Sequence, residues 1–272
     1  MSGFFGRVSV ITGAGSGIGQ ALALELARRG SDLALCDVNE AGLEETARRI
    51  GTERKVLTEK VDVADRDAVY AFKDTVLSEF GKADAVVNNA GVTVVDSVND
   101  ISWDDFEWLM GINFWGVTYG SKAFLPHFLE RDTGWIVNIS SVFGIIAVPH
   151  QSAYNAAKFA VRGFTESLRQ ELHGTGVTAT CVHPGGIKTN IVRDSRYRNP
   201  AMGDANQDEA AEQFEKLART TPARAATIIA DGMEAKDPRI LIGPDAELID
   251  RVQRMAPVKY PTVVRELSKR FS

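Results

Sequence analysis

The chain has 272 residues, 44% of them hydrophobic and 25% charged, with a formal net charge of −5. That length suits one large α/β domain whose core needs no covalent staple. The mildly acidic balance lacks the basic footprint of a nucleic-acid binder and identifies no partner.

Residues 1–7 run almost directly into a first strand-like segment, leaving no room for a signal peptide. No apolar run approaches the ~20 residues of a membrane span, so a soluble, cytoplasmic protein is expected. Strands are then predicted at 8–12, 33–37, 56–61, 85–88, 135–140, 178–183 and 239–242. Helices are predicted at 17–29, 40–50, 66–80, 103–129, 153–172 and 223–234. Apolar strands alternating with amphipathic helices specify a doubly wound parallel sheet of seven strands, with helices on both faces. With no repeat or linker visible, residues 1–272 read as a single α/β domain.

Two stretches leave this pattern. Residues 193–213 are polar and charged, with turn signals at Asn199-Pro200 and Gly203. Such a stretch is either disordered or a lid, placed at 190–221. Beyond Gly243-Pro244, residues 246–255 and 260–271 read as short amphipathic helices of an extension at 244–272. That extension could pack on the domain, meet a partner subunit or shape one end of a pocket.

The first strand-to-helix turn reads Thr12-Gly13-Ala14-Gly15-Ser16-Gly17-Ile18-Gly19. Glycines let the backbone turn tightly and approach a pyrophosphate, whose charge suits a helix N-terminus. Asp37 closes the second strand about 20 positions on, where a dinucleotide site requires an acid. Its carboxylate suits ribose hydroxyls and repels a 2′-phosphate. No Arg or Lys follows it (Val38, Asn39), so NAD is favoured over NADP. Cys36 and Cys181 lie in apolar runs and read as buried reduced thiols. The four histidines (His127, His150, His173, His183) lack metal-ligand spacing, so no metal is expected.

Ser141 follows the fifth strand, and Tyr154 and Lys158 lie four residues apart on the next helix. That spacing puts both side chains on one face. An ammonium beside the phenol favours the phenolate and lowers a pKa that is ordinarily ~10, making Tyr154 a proton carrier.

Together these elements resemble the short-chain dehydrogenase/reductase family, from the glycine turn to the Pro-Gly turn, residues 8–190. The loop is of that family's T-G-x3-G-x-G type within a Rossmann fold. Asp62-Val63 looks like the pair that touches adenine, and Asn88-Asn89-Ala90-Gly91 matches the N-N-A-G turn. Asn113, Ser141, Tyr154 and Lys158 match the catalytic set. Pro184-Gly185 with Ile187 and Thr189 is similar to the segment holding the nicotinamide carboxamide, although Gly186 is atypical. The resemblance implies reversible hydride transfer between nicotinamide and an alcohol or ketone. Tyr154 would carry the proton, Ser141 the substrate oxygen, and Lys158 also the nicotinamide ribose. Asn113 would either hold a relay water or brace a helix bend.

An apolar wall is expected from Val142, Phe143, Ile145, Ile146 and Val148. Val92, Thr93 and Val94 would line another side, and Ile191, Tyr197 and Met202 would come from the lid. His150 and Gln151 offer polar contacts, although solvation explains both. These residues suit a medium or bulky hydrophobic secondary alcohol or ketone, steroid-like or terpenoid. Ala153, Ala156, Ala157 and Ala160 give the Tyr154 helix a small-residue face. By the resemblance, that face points to a homo-oligomer, a tetramer or dimer. The alternatives are an NADP-dependent carbonyl reductase and a non-catalytic dinucleotide sensor or scaffold.

Overall fold

The computed structural model describes residues 3–198 and 206–262. The chain opens with β1 (Val8–Thr12), α1 (Gly17–Arg28), β2 (Asp32–Asp37), α2 (Glu40–Ile50), β3 (Val56–Lys60), α3 (Arg66–Phe80) and β4 (Ala85–Asn88). A short β5 (Val94–Val95) precedes α4 (Trp103–Met110), a π-helical turn (Gly111–Gly116) and α5 (Val117–Glu130). Next come β6 (Gly134–Ile139), a 3₁₀ turn (Val142–Gly144), α6 (Ser152–Glu171) and β7 (Val177–Pro184). The chain continues through β8 (Arg196–Tyr197), α7 (Gln207–Leu217), α8 (Pro222–Ala235), β9 (Arg239–Ile242) and α9 (Pro244–Met255).

The main sheet runs β3-β2-β1-β4-β6-β7-β9, with every pairing parallel. Its inner strands are mostly apolar because both faces are covered, whereas the edge strand β3 is half-exposed and ends in Thr58-Glu59-Lys60. Leu33 and Leu35 join the core with Leu22, Leu26, Ile229 and Met233 of α1 and α8. Ala34 and Cys36 point the other way, to the core with Phe72, Val76, Phe124, Phe128 and Leu168 of α3, α5 and α6. The winding reverses between β1 and β4, so the loops leaving their C-terminal ends part there and open a crevice.

Several elements differ from the sequence reading. The single helix expected at 103–129 is interrupted by the π-helical turn, which an unbroken apolar pattern does not reveal. The polar stretch at 193–213 contains β8, paired with β5, and the start of α7. Its turn signals at Asn199-Pro200 and Gly203, and the lid residue Met202, lie outside the described residues. So does most of the helix expected at 260–271. Ala153 and Ala157 are buried against α4 within the same chain, leaving Ala156 exposed and Ala160 half-exposed on the small-residue face. Both cysteines are buried free thiols. Among the described residues no helix is long and apolar enough to cross a membrane. None of their His, Cys, Asp and Glu side chains form a group of three or more able to hold a metal ion.

Candidate active site

The crevice at the β1/β4 reversal is floored by the glycine turn. Gly13 (φ +66°) and Gly17 (φ +55°) take backbone angles that other residues rarely adopt. Thr12 ties this turn to its neighbour after β4. Its Oγ1 accepts from the amides of Asn89 and Ala90, each at 3.0 Å. Asn89 Nδ2 donates back to the carbonyls of Thr12 (2.9 Å) and Gly13 (3.1 Å). Asp37 reaches the turn from β2, its carboxylate accepting from Gly15 N (2.8 Å) and Asn39 N (3.0 Å). Val38 beside it is exposed, as are Ser16 and Asp62, whereas Val63 is buried and Ile18 packs on the core.

The start of α1 is unlike that of its neighbours. Asn39, Asp65, Ser102 and Thr221 cap α2, α3, α4 and α8 with their side chains. Ser16 makes no such bond, and the first turn of α1 carries no acid. Its free amides, with the positive end of the helix dipole, form a cradle for an anionic phosphate. A Cβ on Gly17 would lie 3.3 Å from the methyl of Thr189, so the segment after β7 comes to the same cradle. Gly185 donates to Ile242 O at 2.9 Å, Ile187 is buried, and Thr189 is half-buried. These residues fit a dinucleotide laid from Asp37 across the glycine turn towards the turn after β7.

At the other end stand the four remaining candidates. Ser141 caps the 3₁₀ turn, accepting from Phe143 N at 3.1 Å, and its side chain favours the ionised form of Tyr154. Tyr154 is half-buried on the first turns of α6, with Phe143 edge-on to its ring at 6.1 Å. Asn113 is fully buried in the π-helical turn. Its amide accepts from Val92 N and donates to Val92 O, both at 2.8 Å, so it clamps the segment leaving β4. A Cβ on Gly91 would lie 3.4 Å from Asn113 Oδ1 and 3.5 Å from Lys158 Nζ, so both groups converge on that glycine.

Lys158 corrects one expectation. Its ammonium takes a backbone acceptor. It donates to Ile139 O at 3.0 Å and lies 5.6 Å from the centroid of the Tyr154 ring. Burial pushes the Tyr154 hydroxyl up to about 12, against the opposing pull of Ser141. Burial also lowers Lys158 to about 8. Desolvation thus outweighs the opposing effect of Ser141 and holds the phenol above its ordinary value.

The walls are partly as expected. Phe143 and Val148 are half-exposed, whereas Val142, Ile145 and Ile146 are buried. Val92, Val94 and Tyr154 share one apolar cluster. Thr93 Oγ1 donates to Gln151 Oε1 at 2.9 Å, which turns Gln151 to an internal partner. Ile191 and Tyr197 are half-buried on the segment that β8 pins beside β5. The C-terminal extension reaches this wall too, where Tyr260 Oη accepts from Ala147 N at 3.1 Å.

Two residues near the site escape sequence reading. His183 is fully buried beside the Ser141 turn, with Nδ1 3.0 Å from Ser141 O. Because a carbonyl only accepts, Nδ1 carries the hydrogen. Burial draws His183 down to about 4, so the ring is neutral at pH 7. Its signal was a histidine inside an otherwise apolar strand. Asp105, in the first turn of α4, is buried and accepts from Arg196 (2.7 Å) and Arg198 (2.9 Å) of the β8 segment. Nothing in the local pattern links residues so far apart.

Comparison with known proteins agrees with this geometry. The family profile described as short chain dehydrogenase matches residues 7–200. A Mycobacterium tuberculosis protein named "Putative oxidoreductase SadH" is 45% identical over 271 residues, covering 97% of this chain and 96% of its own. A short-chain dehydrogenase/reductase from Burkholderia phymatum, solved in complex with NAD, superposes with a TM-score of 0.85 at 32% identity. That alignment covers 94% of this chain and 95% of the other. An alcohol dehydrogenase from Thermococcus sibiricus, solved with 5-hydroxy-NADP, gives a TM-score of 0.74 at 26% identity, covering 87% and 95% of the two chains.

Proposed function

The chain belongs to the short-chain dehydrogenase family and is an NAD(P)-dependent oxidoreductase, and from that premise we propose that it interconverts secondary alcohols and ketones with NAD, Tyr154 exchanging the proton. The observation that carries this reading is that Phe143 joins Ser141 to Tyr154, its amide on the serine hydroxyl and its ring edge-on to the phenol ring, with the Lys158 ammonium 5.6 Å from the centroid of that same ring. Bound nicotinamide supplies a ring carbon that accepts or returns hydride. Ser141 holds the substrate oxygen through its hydroxyl, and Tyr154 takes the alcohol proton as hydride leaves.

Lowering the Tyr154 hydroxyl from about 12 to near neutrality needs a positive charge close by. Lys158 is the cation on hand, and turning its ammonium from Ile139 O towards the cofactor ribose would bring charge to the phenol. Asn113 holds the backbone of Val92 in place and shares the Gly91 corner with Lys158, which supports a bracing role and a place at the start of a proton path.

Asp37 supports NAD as the cofactor. Its carboxylate already faces the glycine turn, where a 2′-phosphate would meet like charge. A several-fold higher kcat/KM with NADP than with NAD would overturn this assignment. The half-exposed apolar groups Phe143, Val148, Ile191 and Tyr197 support a medium or bulky hydrophobic substrate covered by the segment around β8. Exposed Trp115 on the π-helical turn stacks on Tyr119, and Phe159 on α6 is exposed, which supports assembly of subunits through this face.

The central test is Tyr154→Phe, followed at the absorbance of reduced nicotinamide over a panel of cyclic, aliphatic and steroid alcohols. Turnover should fall ~10²–10⁴-fold while NADH still binds. Near-normal turnover with any accepted alcohol would refute the proton-transfer role.

A further inference from the structure

Gly186, atypical after Pro184-Gly185, has a structural partner in the C-terminal extension. Asp245, in the first turn of α9, points its carboxylate into the space beside Gly185. A Cβ on Gly185 would lie 2.2 Å from Asp245 Oδ2 and 2.5 Å from Oδ1. The same Oδ2 accepts from Gly186 N at 2.6 Å. Backbone bonds hold the turn on either side, from Gly185 N to Ile242 O (2.9 Å) and from Lys188 N to Thr220 O (3.0 Å). Gly186 N is held by a side chain instead.

That side chain stands on a fixed support. Ala246 is fully buried, and Asp250 accepts from Arg239 of β9 (2.6 Å) and from Arg254 (3.0 Å), anchoring α9 to the sheet. Gly243 leads into α9 at φ +102°, and a Cβ there would also meet Asp245, at 2.4 Å. Glycine at 185 and 243 thus leaves room for one carboxylate.

We propose that Asp245 is a positioning residue for the nicotinamide end of the cofactor, setting the turn at 184–186 from the C-terminal extension. The inference rests on the dinucleotide reading of the crevice. It predicts an effect confined to the ring end of the ligand.

The test titrates NADH and ADP-ribose, which lacks the nicotinamide ring, into wild type, Asp245→Ala and Asp245→Asn by calorimetry. Asp245→Ala should weaken NADH about tenfold, the loss of one charge-assisted hydrogen bond, and leave ADP-ribose within about twofold. Asp245→Asn keeps an acceptor and should fall between. Gly185→Ala should weaken NADH in the wild-type background, and less so when combined with Asp245→Ala, because the carboxylate it meets is gone. Equal losses for both ligands would overturn the proposal, leaving Asp245 a support of the fold alone. Unchanged NADH binding in Asp245→Ala would overturn it as well. Wild type that binds neither ligand would overturn the cofactor reading itself, an outcome the wild-type arm separates from the others.

Discussion

Ser141 is held from two sides, its hydroxyl by Phe143 N and its carbonyl by His183. The imidazole therefore fixes the backbone from which the serine side chain projects. His183 is drawn from the ordinary histidine value of 6.5 to about 4 by burial, so the folded state resists protonation while the unfolded chain does not. Between pH 6.5 and 4 the unfolded state binds more protons, and stability falls as pH falls. The stability that neutral His183 permits is complete above 6.5 and lost on approach to 4. A shift of that size corresponds to on the order of 3 kcal/mol. His183→Asn keeps a donor for the Ser141 carbonyl and titrates nothing. In urea melts from pH 7 to 4.5, wild type should lose stability faster than the variant, so the gap between them narrows or reverses. Parallel losses would show that His183 does not govern the acid limb.

At the scale of elements, the β8 segment is held down by more than its two residues of pairing with β5. Arg196 and Arg198 both reach the buried carboxylate of Asp105, and the Arg196 guanidinium lies 3.6 Å over the ring of Trp108. The Arg198 hydrogen bond, with help from Arg196, holds Asp105 below the ordinary carboxylate range. The arginines are themselves 37% and 55% exposed, so solvent weakens the pair. Asp105→Asn should ease opening of the segment by roughly 1 kcal/mol, giving several-fold faster tryptic cutting at Arg193, Arg196 and Arg198. The KM for a bulky alcohol should rise while NADH binding stays unchanged. Cutting at the wild-type rate would end the latch interpretation. None of this is legible locally, because a two-residue strand has no period and Asp105 lies far from its arginines in sequence. The π-helical turn is hidden for another reason: a helical pattern continues across 103–129, and the glycines at its two ends, Gly111 and Gly116, do not distinguish it from an α-helix. The direction of the Lys158 ammonium is likewise invisible to spacing, which puts Tyr154 and Lys158 on one face and leaves open which acceptor the amine takes.

Across the whole molecule, the sheet was readable because its inner strands are covered on both faces and written mostly in apolar residues. The glycine turn was readable because a tight strand-to-helix turn calls for glycine, and Asp37 because it closes β2 beside that turn. Residues acting across the fold, such as Asp245 on Gly186, required coordinates. The crevice is assembled from the ends of β1, β2, β4, β6 and β7, so a ligand bound there contacts segments from both halves of the sheet and should stabilise the domain as a unit. NAD at 100 times its Kd contributes about 2.7 kcal/mol by mass action. With an unfolding entropy near 2.1 cal/mol/K per residue, a chain of 272 residues should melt about 5 °C higher. NADP at the same concentration should give a smaller shift, because its 2′-phosphate faces Asp37. Asp37→Asn should shrink the difference between the two by removing the charge but not the acceptor. Differential scanning fluorimetry with both cofactors measures this directly. Equal shifts for NAD and NADP in wild type would mean that Asp37 does not select the cofactor.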